Sequence, residues 1–335
     1  MRPQMSKIGL LDADSHNFPN LALMKISAWH KARGDSVEWC IPLEHYDTVY
    51  VSKVFGDEYS VMDNTVINAD KVVYGGTGFA LEVIDGKEVY TKEDDPILQD
   101  EIEHVYPDYS LYPDLTKDTA YGFLTRGCPN NCAFCLVTKK EGKVSHKVAD
   151  LSEWWDGQKH IELLDPNILA CRQHLELLEQ LANSGAWVNF NQGLDARFIT
   201  EKNLEVLSRI KIKTVHFAFD FMRNEKRIIE GLTLAREKLN VTDRNAIVYM
   251  LTNFDTTIKD DLYRVSAIKN AGFSPDVRIY RKTSLPKRHI LRDLQRWCNN
   301  RATFRSSSFF DYAPRADGRT MRETYSDILK DCTEV

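Results

Sequence analysis

Residues 121–135 read YGFLTRGCPNNCAFC, an apolar segment that ends at Gly127 and runs directly into three closely spaced cysteines. The segment is typical of a strand that ends in a glycine turn. Cys128, Cys132 and Cys135 then follow in the spacing C-x3-C-x2-C. Ordinary electron-transfer clusters are held by four cysteines. Three cysteines on one short loop therefore indicate an iron–sulfur cluster with one iron left open for a small molecule.

Strands and helices alternate along the chain after this loop. Such alternation predicts a parallel sheet, in which functional groups gather at the carboxyl ends of the strands. The predicted strands are 121–126, 160–164, 186–191, 213–219, 245–251 and 276–280, and the predicted helices lie near 168–183, 200–210, 222–238 and 257–271.

The cysteine spacing and the six strand–helix units resemble the radical S-adenosylmethionine (radical SAM) enzymes. Phe134 fills the aromatic position that usually precedes the third cysteine of that family. The resemblance implies that Cys128, Cys132 and Cys135 ligate a [4Fe-4S] cluster and that SAM occupies the fourth iron. It further implies reductive cleavage of SAM to a 5′-deoxyadenosyl radical, a (β/α)6 partial TIM barrel over residues 111–281, and a reductant such as flavodoxin or ferredoxin.

Other chemistries also use cysteines in this spacing. Zinc takes Cys and His ligands, and His146 is the nearest fourth ligand in the sequence, beyond a charged loop. A zinc-bound nucleic-acid module is therefore one alternative. A non-catalytic iron–sulfur protein that carries electrons or senses redox state is another.

Polar side chains follow the ends of the predicted strands, where the resemblance places SAM. The chain lacks the Gly-Gly-Glu form that the family commonly has after the second strand. Asp165 or Asn167 also suits the N-cap of the next helix, and Asp195 with Arg197 also suits a structural turn network. The residues assigned to SAM by the resemblance are Phe134, Asp165, Asn167, Asn191, Gln192, Arg197, Asp220 and Asn253.

Residues 1–110 resemble a Rossmann-like, cobalamin-binding domain. The segment after the first strand is similar to the D-x-H-x-x-G element of such domains, with His16 as the implied cobalt ligand and Pro19 in place of the final glycine. Gly75 and Gly76 resemble the glycines that admit the cobalamin tail. A cobalamin-dependent radical SAM methyltransferase is therefore an alternative, whereas Asp14 or Asn17 as a helix cap is the simpler interpretation.

Composition limits the remaining possibilities. A chain of 335 residues with 43% hydrophobic and 28% charged residues has the material for about two globular domains. We expect a cytoplasmic protein without a membrane partner, because no apolar run approaches the ~20 residues of a membrane span and the first residues lack a signal-peptide core. The seven cysteines suit a reducing compartment.

The C-terminal region, residues 282–335, is predicted to be a basic helical extension. A helix from about Arg288 to Asn300 would bury Ile290, Leu291, Leu294 and Trp297 and leave basic side chains on its other face. Such a face is either solvated or a patch for an anionic ligand. The substrate class stays open between a small molecule, a peptide and RNA.

Overall fold

The structure is a computed structural model, and it describes residues 5–14, 17–56, 60, 66–84 and 87–335. The chain packs as two compact units, Met1–Glu162 and Leu163–Val335, named here the N-terminal and C-terminal units. The predicted domain limits at residues 110 and 281 stay predictions. None of the helices that the structure describes is long and apolar enough to span a bilayer.

The N-terminal unit contains a four-stranded sheet in which every strand pair is parallel. The strands lie in the order β2-β1-β3-β4, and Ile8 and Leu10 of β1 pack against Leu23 and Ile26 of helix α1. The next two strands of the chain, β2 and β3, thus lie on opposite sides of β1, as in doubly wound sheets. The elements are β1 (Lys7–Asp12), α1 (Leu21–Ala32), β2 (Ser36–Trp39), β3 (His45–Ser52) and β4 (Asn68–Gly75).

The first helix is capped by a residue that the sequence analysis did not select. The side chain of Asn20 accepts a hydrogen bond from the N–H of Leu23 at 3.1 Å. The expectation that Asp14 or Asn17 caps this helix is therefore wrong. The helix ends at Ala32, and Gly34, two residues later, has a φ of +89°, which glycine adopts readily.

Shorter elements fill the rest of the N-terminal unit. Two of them, β5 and β6, pair antiparallel, and so do β8 and β9. The predicted strand 121–126 is divided into β7 and β8. The elements are β5 (Leu81–Ile84), β6 (Lys87–Tyr90), α2 (Asp100–Glu103), α3 (Pro113–Thr116), β7 (Thr119–Gly122), β8 (Thr125–Arg126), α4 (Val137–Lys140) and β9 (His146–Lys147).

A second sheet has six parallel strands in the order β14-β13-β12-β11-β10-β7. Each predicted strand from residue 160 onward coincides with an observed strand to within a few residues, so the predicted α/β class with a parallel sheet is confirmed. The strands after β7 are β10 (His160–Leu163), β11 (Trp187–Phe190), β12 (Lys211–Ala218), β13 (Ala246–Thr252) and β14 (Ser274–Ile279).

A helix follows each of the last five strands. Between β7 and β10 the cysteine loop and the β8–β9 pair take up the chain, and only the short α4 and a 3-10 turn at Leu151–Glu153 are helical. The first of the six predicted strand–helix units therefore lacks a long helix. The remaining helices are α5 (His174–Ser184), α6 (Glu201–Leu207), α7 (Glu225–Lys238), α8 (Ile258–Asn270), α9 (Ile290–Asn299), α10 (Arg301–Ser306), α11 (Met321–Thr324) and α12 (Ser326–Leu329).

Candidate functional site

The cysteine loop begins at a backbone position that only glycine fits. Gly127 has a φ of +82°, and a Cβ built on it would lie 2.2 Å from the carbonyl oxygen of Val144. The next residue, Cys128, donates its N–H to the carbonyl of Gly142 at 3.2 Å. The start of the loop is thus held against the segment that returns from α4.

Glu141 anchors the same turn from the other side. Its carboxylate accepts a hydrogen bond from the guanidinium of Arg126 at 2.8 Å and another from the N–H of Gly127 at 3.0 Å. The Arg126 guanidinium in turn lies 3.5 Å from the ring centre of Phe123. Sequence reasoning missed Glu141, because nothing in the spacing from Gly127 indicates that the chain returns to it.

All three loop cysteines are half-buried, as is Phe134. The N–H of Cys135 donates to the carbonyl of Cys132 at 3.0 Å, so the last two cysteines lie on one tight turn. In the part of the chain that the structure describes, no three His, Cys, Asp or Glu side chains are arranged around a single metal ion. A [4Fe-4S] cluster has four irons and needs soft thiolate ligands, so its cysteines do not share one metal atom. Three thiolates on one loop are soft ligands, of the kind that both iron–sulfur clusters and zinc take.

His146, the fourth ligand in the zinc alternative, lies in β9 opposite Arg126 of β8. Its side chain is exposed, and its Nδ1 lies 3.1 Å from the carbonyl oxygen of Val144. This bond involves only Nδ1, and metal-binding histidines commonly make such a bond while they ligate through Nε2. The zinc alternative therefore stays an alternative.

In the C-terminal unit, Asp165 and Asn167 follow β10 and are each only 2% exposed. The amide of Asn167 donates to the carboxylate of Asp195 at 3.2 Å. Asn167 precedes the 3-10 turn Ile168–Ala170 without a side-chain capping bond, and α5 begins after Gln173. The expectation of a capping side chain at Asn167 is therefore wrong, and Asn167 instead joins the loops after β10 and β11.

Arg197 is bound within its own loop. Its Nε and one terminal nitrogen each donate to the carboxylate of Asp195 at 2.8 Å, and the N–H of Arg197 donates to the same carboxylate at 3.1 Å. The turn network weighed in the sequence analysis is therefore present. Asn191 donates its N–H to the carbonyl of Leu163 at 3.2 Å, and Gln192 is exposed. The SAM contacts predicted for Asn191, Gln192 and Arg197 stay predictions.

Asp220 follows β12 and is tied to the end of β13. Its carboxylate accepts the N–H of Leu251 at 2.9 Å. Burial raises the pKa of the Asp220 carboxyl, although the Leu251 N–H and the nearby Arg264 favour the charged form. Arg264 is completely buried and donates to the carbonyls of Phe219, at 2.7 Å, and Leu251, at 2.8 Å. The buried guanidinium of Arg264 thus holds the ends of β12 and β13 together, and Asp220 follows β12.

Asn253 connects the ends of β13 and β14. It has a φ of +63°, and its amide donates to the carbonyl of Tyr280 at 2.8 Å. The ring of Tyr280 meets Phe254 edge-on, with 5.0 Å between ring centres. The loops after β13 and β14 therefore form one aromatic and amide-bearing edge.

One face of strands β12 to β14 carries polar and aromatic side chains that are half-buried or exposed. His216 of β12 stacks on Tyr249 of β13, with 4.9 Å between ring centres and 3° between ring planes. Arg278 of β14 lies 5.2 Å from the Tyr249 ring and pairs with Asp276 at 2.9 Å. The alternation of side chains along a strand is the sequence signal for such a face. Sequence reasoning missed Tyr249 and Arg278, whose positions on β13 and β14 carried the same signal.

The two glycines assigned to cobalamin lie against the chain itself. A Cβ on Gly76 would lie 2.2 Å from the carbonyl oxygen of Lys53, and one on Gly75 would lie 3.7 Å from Pro96. The Asp14 carboxylate accepts hydrogen bonds from the N–H of Val54 and from the hydroxyl of Ser60. These described residues do not form the cradle that a cobalamin tail needs. His16 lies outside the described residues.

The sequence matches no protein-family model and no curated protein.

Proposed function

We propose that the chain is a radical SAM enzyme. The cysteine loop would hold the cluster, and polar residues after strands of the six-stranded sheet would bind SAM. The proposal takes the six-stranded sheet as a partial TIM barrel and the N-terminal sheet as a Rossmann-like domain. A cytoplasmic setting with flavodoxin or ferredoxin as the electron donor belongs to the same proposal.

The observation that carries the proposal is the C-x3-C-x2-C loop after β7. Three thiols on a glycine-started loop form a donor set for a cluster that lacks one protein ligand. The last two cysteines share one turn, and Glu141 holds the loop entrance through Arg126 and Gly127. These bonds limit the movement of the loop, which lowers the entropy cost of assembling a cluster on it.

The chain's own residues have separate roles in this proposal. Cys128, Cys132 and Cys135 ligate the cluster. Asn191 and Asp220 offer an amide and a carboxylate that can bind the ammonium and ribose groups of SAM. Arg197 serves as a positioning residue, because its guanidinium already binds Asp195 through two hydrogen bonds.

The remaining predicted SAM contacts keep their assignments. Phe134 would pack beside the cluster, and Asn253 would face the adenine from the end of β13. Asp165 and Asn167 would shape the loop after β10, and Gln192 is exposed and able to donate or accept. When bound, the cluster would supply the electron that cleaves SAM to methionine and a 5′-deoxyadenosyl radical. Burial raises the pKa of the Asp220 carboxyl, and a cation bound beside it would favour the charged carboxylate.

Anaerobic reconstitution tests the proposal. Full-length protein with iron and sulfide should turn brown, bind about four irons and four sulfides, and release 5′-deoxyadenosine from SAM when dithionite is added. Cys128→Ala, Cys132→Ala and Cys135→Ala should each lose iron and the product. Chromatography of the nucleoside product measures the outcome.

Cys332→Ala is the matched control, because Cys332 is also half-buried and lies outside the loop. Cys171 and Cys298 are less suitable, since both are buried and their removal would leave cavities. A brown, cluster-loaded protein that yields no 5′-deoxyadenosine would instead support the electron-transfer or redox-sensing alternative. Because Gly75 and Gly76 do not form a cobalamin cradle, we propose no cobalamin-dependent step.

A further inference from the structure

A basic cleft of about 470 Å³ lies between α9 and the segment that follows β14. Four of its lining side chains are cations and two are amides, and none of these six residues carries a carboxylate. The cleft lies wholly within the C-terminal unit. Its lining residues are Lys282, Lys287, Arg292, Gln295, Arg296 and Asn299.

The acidic residue of α9 is turned away from this cleft. Asp293 is 4% exposed, accepts a hydrogen bond from Arg315 at 2.6 Å and another from the hydroxyl of Tyr325 at 2.9 Å. Arg296 lies 3.7 Å from the Asp293 carboxylate and also bonds the hydroxyl of Tyr312. In the sequence Asp293 lies among basic residues, but in the structure its carboxylate is bonded to Arg315 and Tyr325, which do not line the cleft.

A second carboxylate, that of Asp276, accepts a hydrogen bond from Asn299 at 3.1 Å and pairs with Arg278. The six lining residues themselves thus carry four positive charges and no negative one.

The walls of the cleft are held by hydrogen bonds to the backbone. Arg292 donates to the carbonyls of Lys282 at 2.6 Å and Leu285 at 3.0 Å. Gln295 and Asn299 each donate to the carbonyl of Val277 in β14, at 2.8 Å and 3.1 Å. Arg292 and the amides therefore shape the cleft, whereas the exposed Lys282 and Lys287 supply charge at its rim.

Aromatic side chains lie close in the chain to this rim. Tyr280 precedes Lys282 by two residues and packs edge-on against the exposed Phe254. Arg281 lies over the Tyr280 ring, with 5.1 Å between the guanidinium and the ring centre. Proteins that bind single strands combine a cationic groove for phosphates with aromatic rings for bases.

We propose that this cleft binds the phosphates of a single-stranded nucleic acid. Lys282, Lys287, Arg292 and Arg296 give it up to four phosphate contacts, and Arg288 extends the charge along the same segment. A free nucleotide or inorganic phosphate offers the same phosphate chemistry, but it is too short to contact all four cations as a strand with several phosphates would. The net charge of −5 opposes binding of polyanions elsewhere on the chain, so the interaction should be confined to this cleft.

Binding of a short fluorescent RNA strand tests the proposal, without SAM and without a cluster, so its outcome is independent of the proposed reaction. The full-length protein should raise the anisotropy of the strand. The logarithm of the binding constant should fall with the logarithm of salt concentration with a slope of about −3, since four phosphate contacts on a single strand each contribute about −0.7.

The double variant Lys282→Ala, Lys287→Ala should bind roughly tenfold more weakly at low salt and with a slope shallower by about 1.4. Both lysines are exposed, so their removal leaves the fold intact. The matched control, Lys202→Ala with Lys226→Ala, removes the same charge from exposed positions on α6 and α7.

Equal weakening by the control pair would overturn the assignment to the cleft. Unchanged binding in the Lys282 and Lys287 variant would do the same. Competition arms decide the source of the phosphate: an unlabelled RNA or DNA strand should displace the probe, and ATP or inorganic phosphate should not. Displacement by inorganic phosphate as readily as by the strand would overturn binding of a nucleic acid.

Discussion

Arg264 is the residue on which the ends of β12 and β13 depend. It is fully buried, and besides the carbonyls of Phe219 and Leu251 it reaches the carbonyl of Asp220 at 3.1 Å. Its charge is balanced by the buried carboxylate of Asp261 at 2.5 Å. A buried pair of this kind contributes little net stability, but removing one partner leaves an uncompensated charge. Arg264 thus acts through the backbone that carries Asp220.

We predict that Arg264→Met lowers the free energy of unfolding by about 3–5 kcal/mol, because Asp261 would then be buried without its counterion. Urea unfolding followed by circular dichroism measures the change. Replacing both partners, as Arg264→Met with Asp261→Leu, should recover much of the loss. A double variant no more stable than Arg264→Met would contradict the assignment of the loss to the stranded charge.

The burial of Asp220 makes the stability of the fold depend on pH. Burial raises the pKa of this carboxyl above its usual 3.8, so the folded protein holds the proton more tightly than the unfolded chain does. Stability should therefore fall as the pH rises from about 4 through the raised pKa. Asp220→Asn should lose that fall. Urea midpoints of both proteins across this range test it, and parallel pH profiles would refute it.

At the scale of elements, α8 begins with a reciprocal capping arrangement. The hydroxyl oxygen of Thr257 accepts the N–H of Asp260 at 3.2 Å, and the Asp260 carboxylate accepts the N–H of Thr257 at 2.9 Å. Two of the N–H groups that a helix leaves unpaired at its start are thereby satisfied. The helix positions Arg264 two turns later, so this cap contributes to the same strand ends.

Thr257→Ala should lower the free energy of unfolding by about 1 kcal/mol, because the helix loses its cap. The bonds from the N–H and hydroxyl of Thr257 lower the pKa of Asp260. That contribution is present above the ordinary carboxyl pKa of 3.8 and is lost as the pH falls through the lowered value. The variant should therefore lose less stability than the native chain on acidification.

Thr233→Ala is the control for this cap, because the Thr233 hydroxyl bonds the carbonyl of Ile229 in the interior of α7. Alanine has the higher helix propensity, so this change should leave stability equal or slightly raised. Thermal unfolding of the three proteins provides the comparison. An equal loss of stability in both variants would show that the loss in Thr257→Ala does not come from the cap.

For helix α9, the hydrophobic periodicity predicts which apolar residues are buried but not every partner of the polar ones. The predicted burial of Ile290, Leu291, Leu294 and Trp297 is confirmed, because apolar residues at helical spacing share one face. The same pattern placed Arg292 and Arg296 on the other face. It did not show that Asp293 would turn inward to Arg315, which lies 22 residues further along the chain.

At the scale of the whole molecule, two parallel sheets contain ten of the fourteen strands that the structure describes. The strand positions were predictable because a βα alternation is written in short apolar runs and turn residues. The order β2-β1-β3-β4 was not predictable, since nothing in the local sequence of a strand states which strand lies beside it. The predicted SAM contacts likewise depend on loops that follow different strands.

The sequence by itself determined the cysteine spacing, the glycine at position 127, the parallel α/β class and the amphipathic α9, because each is a pattern within a few turns of chain. Tertiary structure decided which polar groups are already bonded. It joined Arg197 and Asn167 to Asp195, packed Gly76 against Lys53 and removed Asp293 from the basic cleft. The physical reason is that such partners meet only after strand register and helix packing bring distant segments together.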